Sequence, residues 1–235
     1  GKVMAEWIAG GEPSMDLWHM DVRRFSRHYR LPSYPLARAR ENYEPYYDIK
    51  YPGHERQAGR PLRISSAYDW HAGHGAAFGE KSGWERVNWY EPNATAGDES
   101  LRPRGWAGMH WSPAVGAEHR AARAGVIVMD MSFMAKFLVQ GRDAGARLNW
   151  ISANDVDGDS GVITYTQWLD ATGRLEADLT VTKLDDERFW VVASDTAHRH
   201  VETMMRRALG FGRFADAHAT LTDVTSGWAQ LNLQG

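Results

Sequence analysis

The sequence predicts an α+β protein built from two unlike halves, and three observations carry that reading. All nine prolines lie between Pro13 and Pro113, and eight of the nine tyrosines lie before Glu91. After Pro113 the chain turns to regular helix and strand patterns. The hydrophobic fraction of 43% and charged fraction of 24% are those of a globular chain, long enough at 235 residues to bury a core. The boundary between the halves falls in the Pro-Arg-Gly-Trp-Ala-Gly stretch at 103–108 and the Trp-Ser-Pro that closes it.

In the first half, Val3, Met4, Trp7 and Ile8 sit at helical spacing, and Gly10-Gly11 stops that helix. Ser14 is placed to cap a second helix carrying Met15, Leu17, Trp18, Val22 and Phe25. Leu36–Tyr47 reads as a third, with Pro35 in its first turn and Pro45 ending it before Tyr47. The stretch 51–61 is Gly/Pro-punctuated loop. Ala76–Phe78 and Arg86–Tyr90 read as short strands around Lys81–Trp84, and 91–108 as mostly exposed loop.

In the second half, Ala114–Ala124 reads as a helix ended by Gly125, followed by a buried-looking strand at Val126–Met129 and another at Met134–Val139. Asp143–Ile151 is a short helix with Ala144, Leu148 and Ile151 on one side, and 152–161 a polar turn region. In the strand Val162–Leu169, Val162, Thr164, Thr166 and Trp168 face one way, and Ile163, Tyr165 and Gln167 the other. The turn Asp170-Ala171-Thr172-Gly173 joins it to Leu175–Leu184 as a hairpin. Phe189–Ala193 is the next strand. Asp195 is placed to cap a helix over Thr196–Leu209 that buries Val201, Met204, Met205 and Ala208. Trp228–Leu233 alternates again. The order strand, helix, strand, strand, strand, helix, strand is that of a ferredoxin-like layer with one extra hairpin strand.

Composition narrows the function classes. Net charge is −3, so the whole chain has no basic surplus suited to nucleic acid. No apolar run reaches the roughly 18 to 20 residues of a membrane helix. With no cysteine there is no disulfide, thiolate metal site or cysteine nucleophile. The excess of arginine over lysine, 22 to 5, reads as genomic composition.

Few residues carry a chemical signal. His71-x-x-His74 in a loop, with Asp69 nearby, has a spacing that can serve a metal, but without cysteine the signal is weak. His198 and His200, two apart on a helix, point to different faces and read as a solvated helix. Asn154–Asp159 alternates acids around Gly158 as a calcium loop does. The position six beyond that glycine is Thr164 and not the required glutamate, so this is a turn. No metal is expected. Asp178 stands out because aspartate is disfavoured inside strands. Alternation puts Leu175, Ala177, Leu179 and Val181 on one face, and Glu176, Asp178, Thr180 and Thr182 on the other. Asp178 is then either a solvent-facing carboxylate or the polar floor of a cleft for a nitrogen-rich ligand. Tyr165 on the paired strand is either an aromatic wall of that cleft or core material.

The segments 162–170 (VITYTQWLD) and 173–182 (GRLEADLTVT) resemble the folate-binding aminomethyltransferase family typified by the T-protein of the glycine cleavage system. Glu118–Ser132, Gly141–Ala144, Ala153–Val156 and Trp228–Gly235 are similar to further motifs of that family, so the resemblance covers about 114–235. Ala5–Ile8, Gly11–Trp18 and Asp21–Phe25 resemble the exit of the flavin domain in dimethylglycine and sarcosine dehydrogenases. Phe78–Arg86 with Asn88–Tyr90 resembles their central connecting domain.

The resemblance implies three segments: the tail of a flavin-dependent oxidoreductase domain at 1–30, a loop-rich central domain at 31–110, and the N-terminal part of a folate-binding domain at 111–235. It implies FAD, held in a flavin domain that these residues do not contain, and tetrahydrofolate as acceptor of the one-carbon unit. Asp178 is then the catalytic carboxylate that orients the folate nitrogens, with Tyr165 beside it in binding. Partners are the remaining flavin and folate domains, in the same polypeptide or another chain, and a small N-methyl amine. The place is the bacterial cytoplasm, or the mitochondrial matrix of a eukaryote. Neither a flavin-nucleotide fingerprint nor the family's later glycine-tyrosine-threonine-glycine-glutamate segment occurs here, so the isolated chain is expected to oxidise nothing. The terminal helix and strand both lack partners in the sequence, which suits an interior slice of a longer protein. The alternatives are a stand-alone aminomethyltransferase and a non-catalytic module that docks a flavoprotein.

Overall fold

A computed structural model describes residues 1–210 and 218–235. Helix α1, Lys2–Gly10, ends at Gly11 in the left-handed conformation (φ 83°) and buries none of its residues. The expected helix after Ser14 is replaced by three short 3-10 turns, Trp18–Met20, Val22–Arg24 and Arg27–Arg30. The cause is local. Asp16 accepts the Trp18 amide and Asp21 the Arg23 amide, both at 2.8 Å, and such turns compete with a helix. The Ser14 hydroxyl donates to Glu6 and caps nothing.

Helix α2, Ser33–Tyr43, has Pro35 in its first turn and stops before Pro45. A short helix α3, Tyr68–Gly73, falls where no element was expected. Strands β1, Ala76–Lys81, and β2, Trp84–Tyr90, form an antiparallel hairpin. Its two-residue turn has Ser82 at φ 54° and Gly83 at φ 83°, which matches the twist of the strands. Residues 91–108 hold three more 3-10 turns.

Helix α4, Pro113–Ala124, starts with Pro113 in its first turn, and the Ser112 hydroxyl accepts the Ala114 amide. Strand β3, Ile127–Asp130, departs from expectation. Among the described residues it pairs only with β9, Leu231–Gln234, and Val126 and Val128 are exposed where a buried strand was expected.

The main sheet holds β4, Ala135–Gln140; β5, Ile163–Leu169; β6, Leu175–Asp185; β7, Arg188–Ala193; and β8, Thr220–Asp223. It runs in the order β5-β6-β7-β4-β8 with every neighbour antiparallel. Set β5 aside and the remainder is the ferredoxin-like order, with β5 as the extra hairpin strand. The closing strand of this layer is β8, which the sequence reading passed over; the expected one, β9, belongs to the ribbon with β3.

Helices α5, Ala144–Ile151, and α6, His198–Gly210, cover one face of the sheet. Phe137, Val139, Leu179, Val181, Phe189 and Val191 meet Leu148, Val201 and Met205 there, all nearly or completely buried. Side chains of this size are each worth roughly 1.5–3 kcal/mol when buried. That face therefore fixes the register of every strand, and the opposite face receives the alternate residues. Helix α6 begins later than expected, and Asp195 does not cap it. The Asp195 carbonyl accepts the His198 amide, while its Oδ2 is buried without a hydrogen-bond partner.

Candidate functional site

The face of the sheet away from the two helices, covered at Lys136 of β4 but open at β5 and β6, is where the two sequence-selected residues meet. On β6, Ala177, Leu179 and Val181 are buried under the helices, so Asp178, Thr180 and Thr182 project to the other side. On β5, Thr166 and Trp168 are buried, and Trp168 Nε1 donates to the Ser152 hydroxyl at 3.0 Å. That anchoring turns Tyr165 and Gln167 outward. Gln167 lies opposite Asp178, and Tyr165 opposite Thr180. The Tyr165 hydroxyl donates to Asp178 Oδ2 at 3.1 Å, and both side chains are exposed.

The surroundings hold this pair in place. The hairpin turn is closed by Asp170 Oδ1, which accepts the Thr172 and Arg174 amides at 2.7 and 2.9 Å. The backbone hydrogen bond from Arg174 leads the effects that hold the Asp170 carboxyl below its usual range. The outer edge of β5 is pinned by Asn154, whose Nδ2 donates to the Tyr165 carbonyl at 2.7 Å. Farther along the same face, Thr182 pairs with Trp190 of β7. The Trp228 ring stands edge-on to Trp190, centroids 5.3 Å apart at 81°. A freely accessible carboxylate aligned by a neighbouring phenol can accept an N–H from a ligand and offset positive charge that develops on it.

The histidines serve other ends. His71 is buried, with Nδ1 at 2.7 Å from the Tyr90 hydroxyl and Nε2 at 3.1 Å from Asp130 Oδ2. Burial pushes the Asp130 carboxyl up, but hydrogen bonds from Ser132, Ser65 and His71 outweigh it and bring it below its usual range. His74 points away, stacked on Trp70 at 3.9 Å, so the His71/His74 pair does not converge. Asp157 is drawn to Lys183 at 3.0 Å.

The solvated reading of His198 and His200 fails. His198 is buried against Asp223, and His200 bonds Glu176 and packs on Trp18. His198, Glu202 and Asp223 bring ligand atoms within 4.8 Å of one another. Glu202 is already engaged by Arg199 and Arg206, which makes the cluster an ion-pair network. No sequence signal marked it, because Asp223 comes from the short strand β8.

A buried cation, Arg63, marks the seam between the halves, its Nη2 3.4 Å from the Ser226 hydroxyl. Arg63 lies over the Trp84 ring at 3.9 Å, with Nε unpartnered, and burial lowers its pKa to about 10.

Among the described residues, no helix is long and apolar enough to cross a membrane. The family described as "GCVT N-terminal domain" matches residues 67–235, and the "FAD dependent oxidoreductase central domain" matches residues 10–65. The chain is 32% identical over its whole length to a 4-methylaminobutanoate oxidase (formaldehyde-forming) of Paenarthrobacter nicotinovorans, of which it covers 28%. It is 30% identical over its whole length to the mitochondrial pyruvate dehydrogenase phosphatase regulatory subunit of Mus musculus, covering 26%. It is 31% identical over 78% of its length to the mitochondrial sarcosine dehydrogenase of Mus musculus, covering 22%. The chain thus spans about a quarter of these relatives. The glycine cleavage aminomethyltransferase T of Bartonella henselae shares the fold, with a TM-score of 0.54 at 23% identity over 74% of this chain and 40% of that one. With its sheet, its helices and most of its length matched, the chain belongs to the GCVT N-terminal domain family, preceded by an FAD-dependent oxidoreductase central domain.

Proposed function

We propose that this chain is the folate side of a flavin-dependent oxidoreductase acting on N-methyl amines of the N-methylglycine type. FAD, in a domain outside these residues, supplies the oxidation of the N-methyl group. The one-carbon unit then reaches tetrahydrofolate as an iminium or as formaldehyde. Two new C–N bonds form, to the two reacting folate nitrogens. The free amine and a proton, or water, leave, and the product is 5,10-methylenetetrahydrofolate.

The observation that carries this reading is the Tyr165–Asp178 pair on the open face of a family-typical sheet. Asp178 accepts an N–H of the folate, holds the nucleophilic nitrogen towards the incoming carbon and offsets the charge that builds as it attacks. Tyr165 keeps the carboxylate aimed by donating to Oδ2. The Asp178 oxygens have ample access for this, since the side chain is exposed. Mitochondrial relatives in mouse favour the matrix for a eukaryotic protein, and the cytoplasm is the counterpart in a bacterium.

The test uses the full-length protein. Asp178→Asn leaves amine-dependent flavin reduction within about twofold and lowers methylenetetrahydrofolate formation roughly 100-fold. An unchanged folate-dependent yield overturns the assignment. A second reading, a non-catalytic docking module, draws support from the regulatory subunit among the relatives. On that reading the full-length protein forms no methylenetetrahydrofolate at all.

A further inference from the structure

We propose that the cavity between residues 22–30, helix α2 and Arg199 of α6 binds an organic carboxylate with a flat apolar body. This site is separate from Asp178, since α6 covers the opposite face of the sheet, and it does not depend on the folate reading.

The walls come from the turns of the first half. Val22–Arg24 packs against α6, and Arg27–Arg30 against α2. The cavity between them measures about 710 Å³, within the range of small-molecule sites. Its floor is aromatic. Tyr29 stands edge-on to both Phe25 and Tyr34, with centroids 5.5 and 5.2 Å away.

The charges around this floor do not cancel. Glu80 is the one carboxylate in the lining, and both its oxygens are engaged. Its Oε2 accepts from Arg38 Nη2 at 2.8 Å, and its Oε1 from the Gly83 amide at 2.5 Å. Arg38 also bonds Glu41 and the Tyr34 hydroxyl, and Arg23 is closed on Asp21. Two other guanidiniums in the lining are left without full neutralisation. Arg30 has no hydrogen-bond or ion-pair partner among the described residues. Arg199 pairs with Glu202, but Arg206 engages the same carboxylate, so one anion serves two cations. The Arg199 Nε is buried without a partner. With its side chain 32% exposed, water screens the Arg199 charge only in part. Burial, and after it the Glu80 charge, pushes the Tyr29 phenol up, so its hydroxyl stays protonated as a donor.

Cationic donors over an aromatic floor suit a ligand that joins an acceptor-only group to a flat apolar body. The N–H fork of a guanidinium matches the two oxygens of a carboxylate. The rings take the apolar body edge or face on. An ammonium finds no unengaged carboxylate in the lining and meets like charge, so the N-methyl amine of the proposed reaction is not the occupant.

The experiment uses the full-length protein and two probes of one shape, 2-naphthoate and the neutral 2-naphthamide, with binding read by calorimetry. The wild type binds 2-naphthoate about 10-fold more tightly than 2-naphthamide. Arg30→Gln and Arg199→Gln each weaken 2-naphthoate about fivefold and leave 2-naphthamide within twofold. Phe25→Ala weakens both probes alike. Retained 2-naphthamide binding shows that the arginine variants are folded. Arg30→Gln, at a side chain without a partner, also leaves the thermal midpoint within about 2 °C of wild type. No binding of 2-naphthoate to the wild type, equal affinity for the two probes, or 2-naphthoate binding that neither arginine variant changes overturns the site.

Discussion

His198, at the first turn of α6, meets Asp223 of β8 through Nε2 and Oδ2 at 2.8 Å, and so ties the second helix of the layer to its edge strand. Burial pushes the Asp223 carboxyl up. The hydrogen bond and charge of His198, with the Thr225 hydroxyl and amide, pull it further down, so the net direction is well below the usual range. A carboxylate whose folded pKa is depressed adds stability above its unfolded pKa and loses it as pH falls towards the folded one. Asp223→Asn is therefore expected to destabilise the fold at neutral pH and to flatten its acid limb below about pH 4. His198→Ala is expected to cost about 1 kcal/mol at neutral pH, since Asp223 loses the imidazole but is more than a third exposed and keeps the Thr225 amide. Denaturant titrations across pH check both; an acid limb unchanged in Asp223→Asn refutes the coupling.

Lys136 of β4 predicts the opposite limb. Its side chain is almost wholly buried, and Nζ donates to the carbonyls of Ser132 and Met134 at 2.9 and 2.7 Å. Burial lowers its pKa to about 8, with Arg63 adding to the fall and Asp130 and Asp223 opposing it. Between about pH 8 and the ordinary lysine value the unfolded chain binds the extra proton, so stability contributed by this group rises with pH. Relative to Lys136→Met, the wild type is expected to gain on the order of 2 kcal/mol between pH 7.5 and pH 10. Paired urea titrations at those two values check it, and a constant difference between the proteins refutes it.

The open face was legible in the sequence because a half-buried strand repeats every two residues. Ala177, Leu179 and Val181 had to share one side, which left Asp178 on the other. The hairpin turn at Asp170–Gly173 then brought Tyr165 alongside. What escaped was set by long-range packing. Thr220–Asp223 is short and polar, and it became a strand because β4 offered it a free edge. The polar side of α6 read as solvated, yet β8 and Trp18 cover His198 and His200. The stretch after Ser14 had the apolar spacing of a helix, but Asp16 and Asp21 took backbone amides for themselves.

Gly141 is where β4 gives way to α5, and its backbone (φ 135°) is one that residues with a Cβ rarely adopt. A Cβ there would stand 2.1 Å from the His218 carbonyl oxygen and 2.9 Å from the Ala219 Cα. Both obstacles are backbone, so neither can swing aside. Gly141→Ala is expected to destabilise the layer by about 3 kcal/mol and to lower its thermal midpoint by roughly 8 °C. Calorimetry of the purified variant checks it; a midpoint within 2 °C of wild type refutes it.

Tyr165→Phe isolates one hydrogen bond. The ring stays on the open face, and only the hydroxyl that donates to Asp178 Oδ2 is lost. Tyr165 is 54% exposed, so the change in stability is expected to stay within about 0.5 kcal/mol. On the reading of Asp178 as the folate-orienting carboxylate, the phenol acts by aiming it, and one such bond is worth about 1 kcal/mol. The full-length variant should then show a KM for tetrahydrofolate raised about fivefold, with amine-dependent flavin reduction unchanged. Because the two side chains act as a unit, adding Tyr165→Phe to Asp178→Asn should lower methylenetetrahydrofolate formation little further. Steady-state assays of the two single variants and the double variant decide this. If the double loss equals the product of the single losses, Tyr165 does not work through Asp178 and the pair is only neighbours on a sheet.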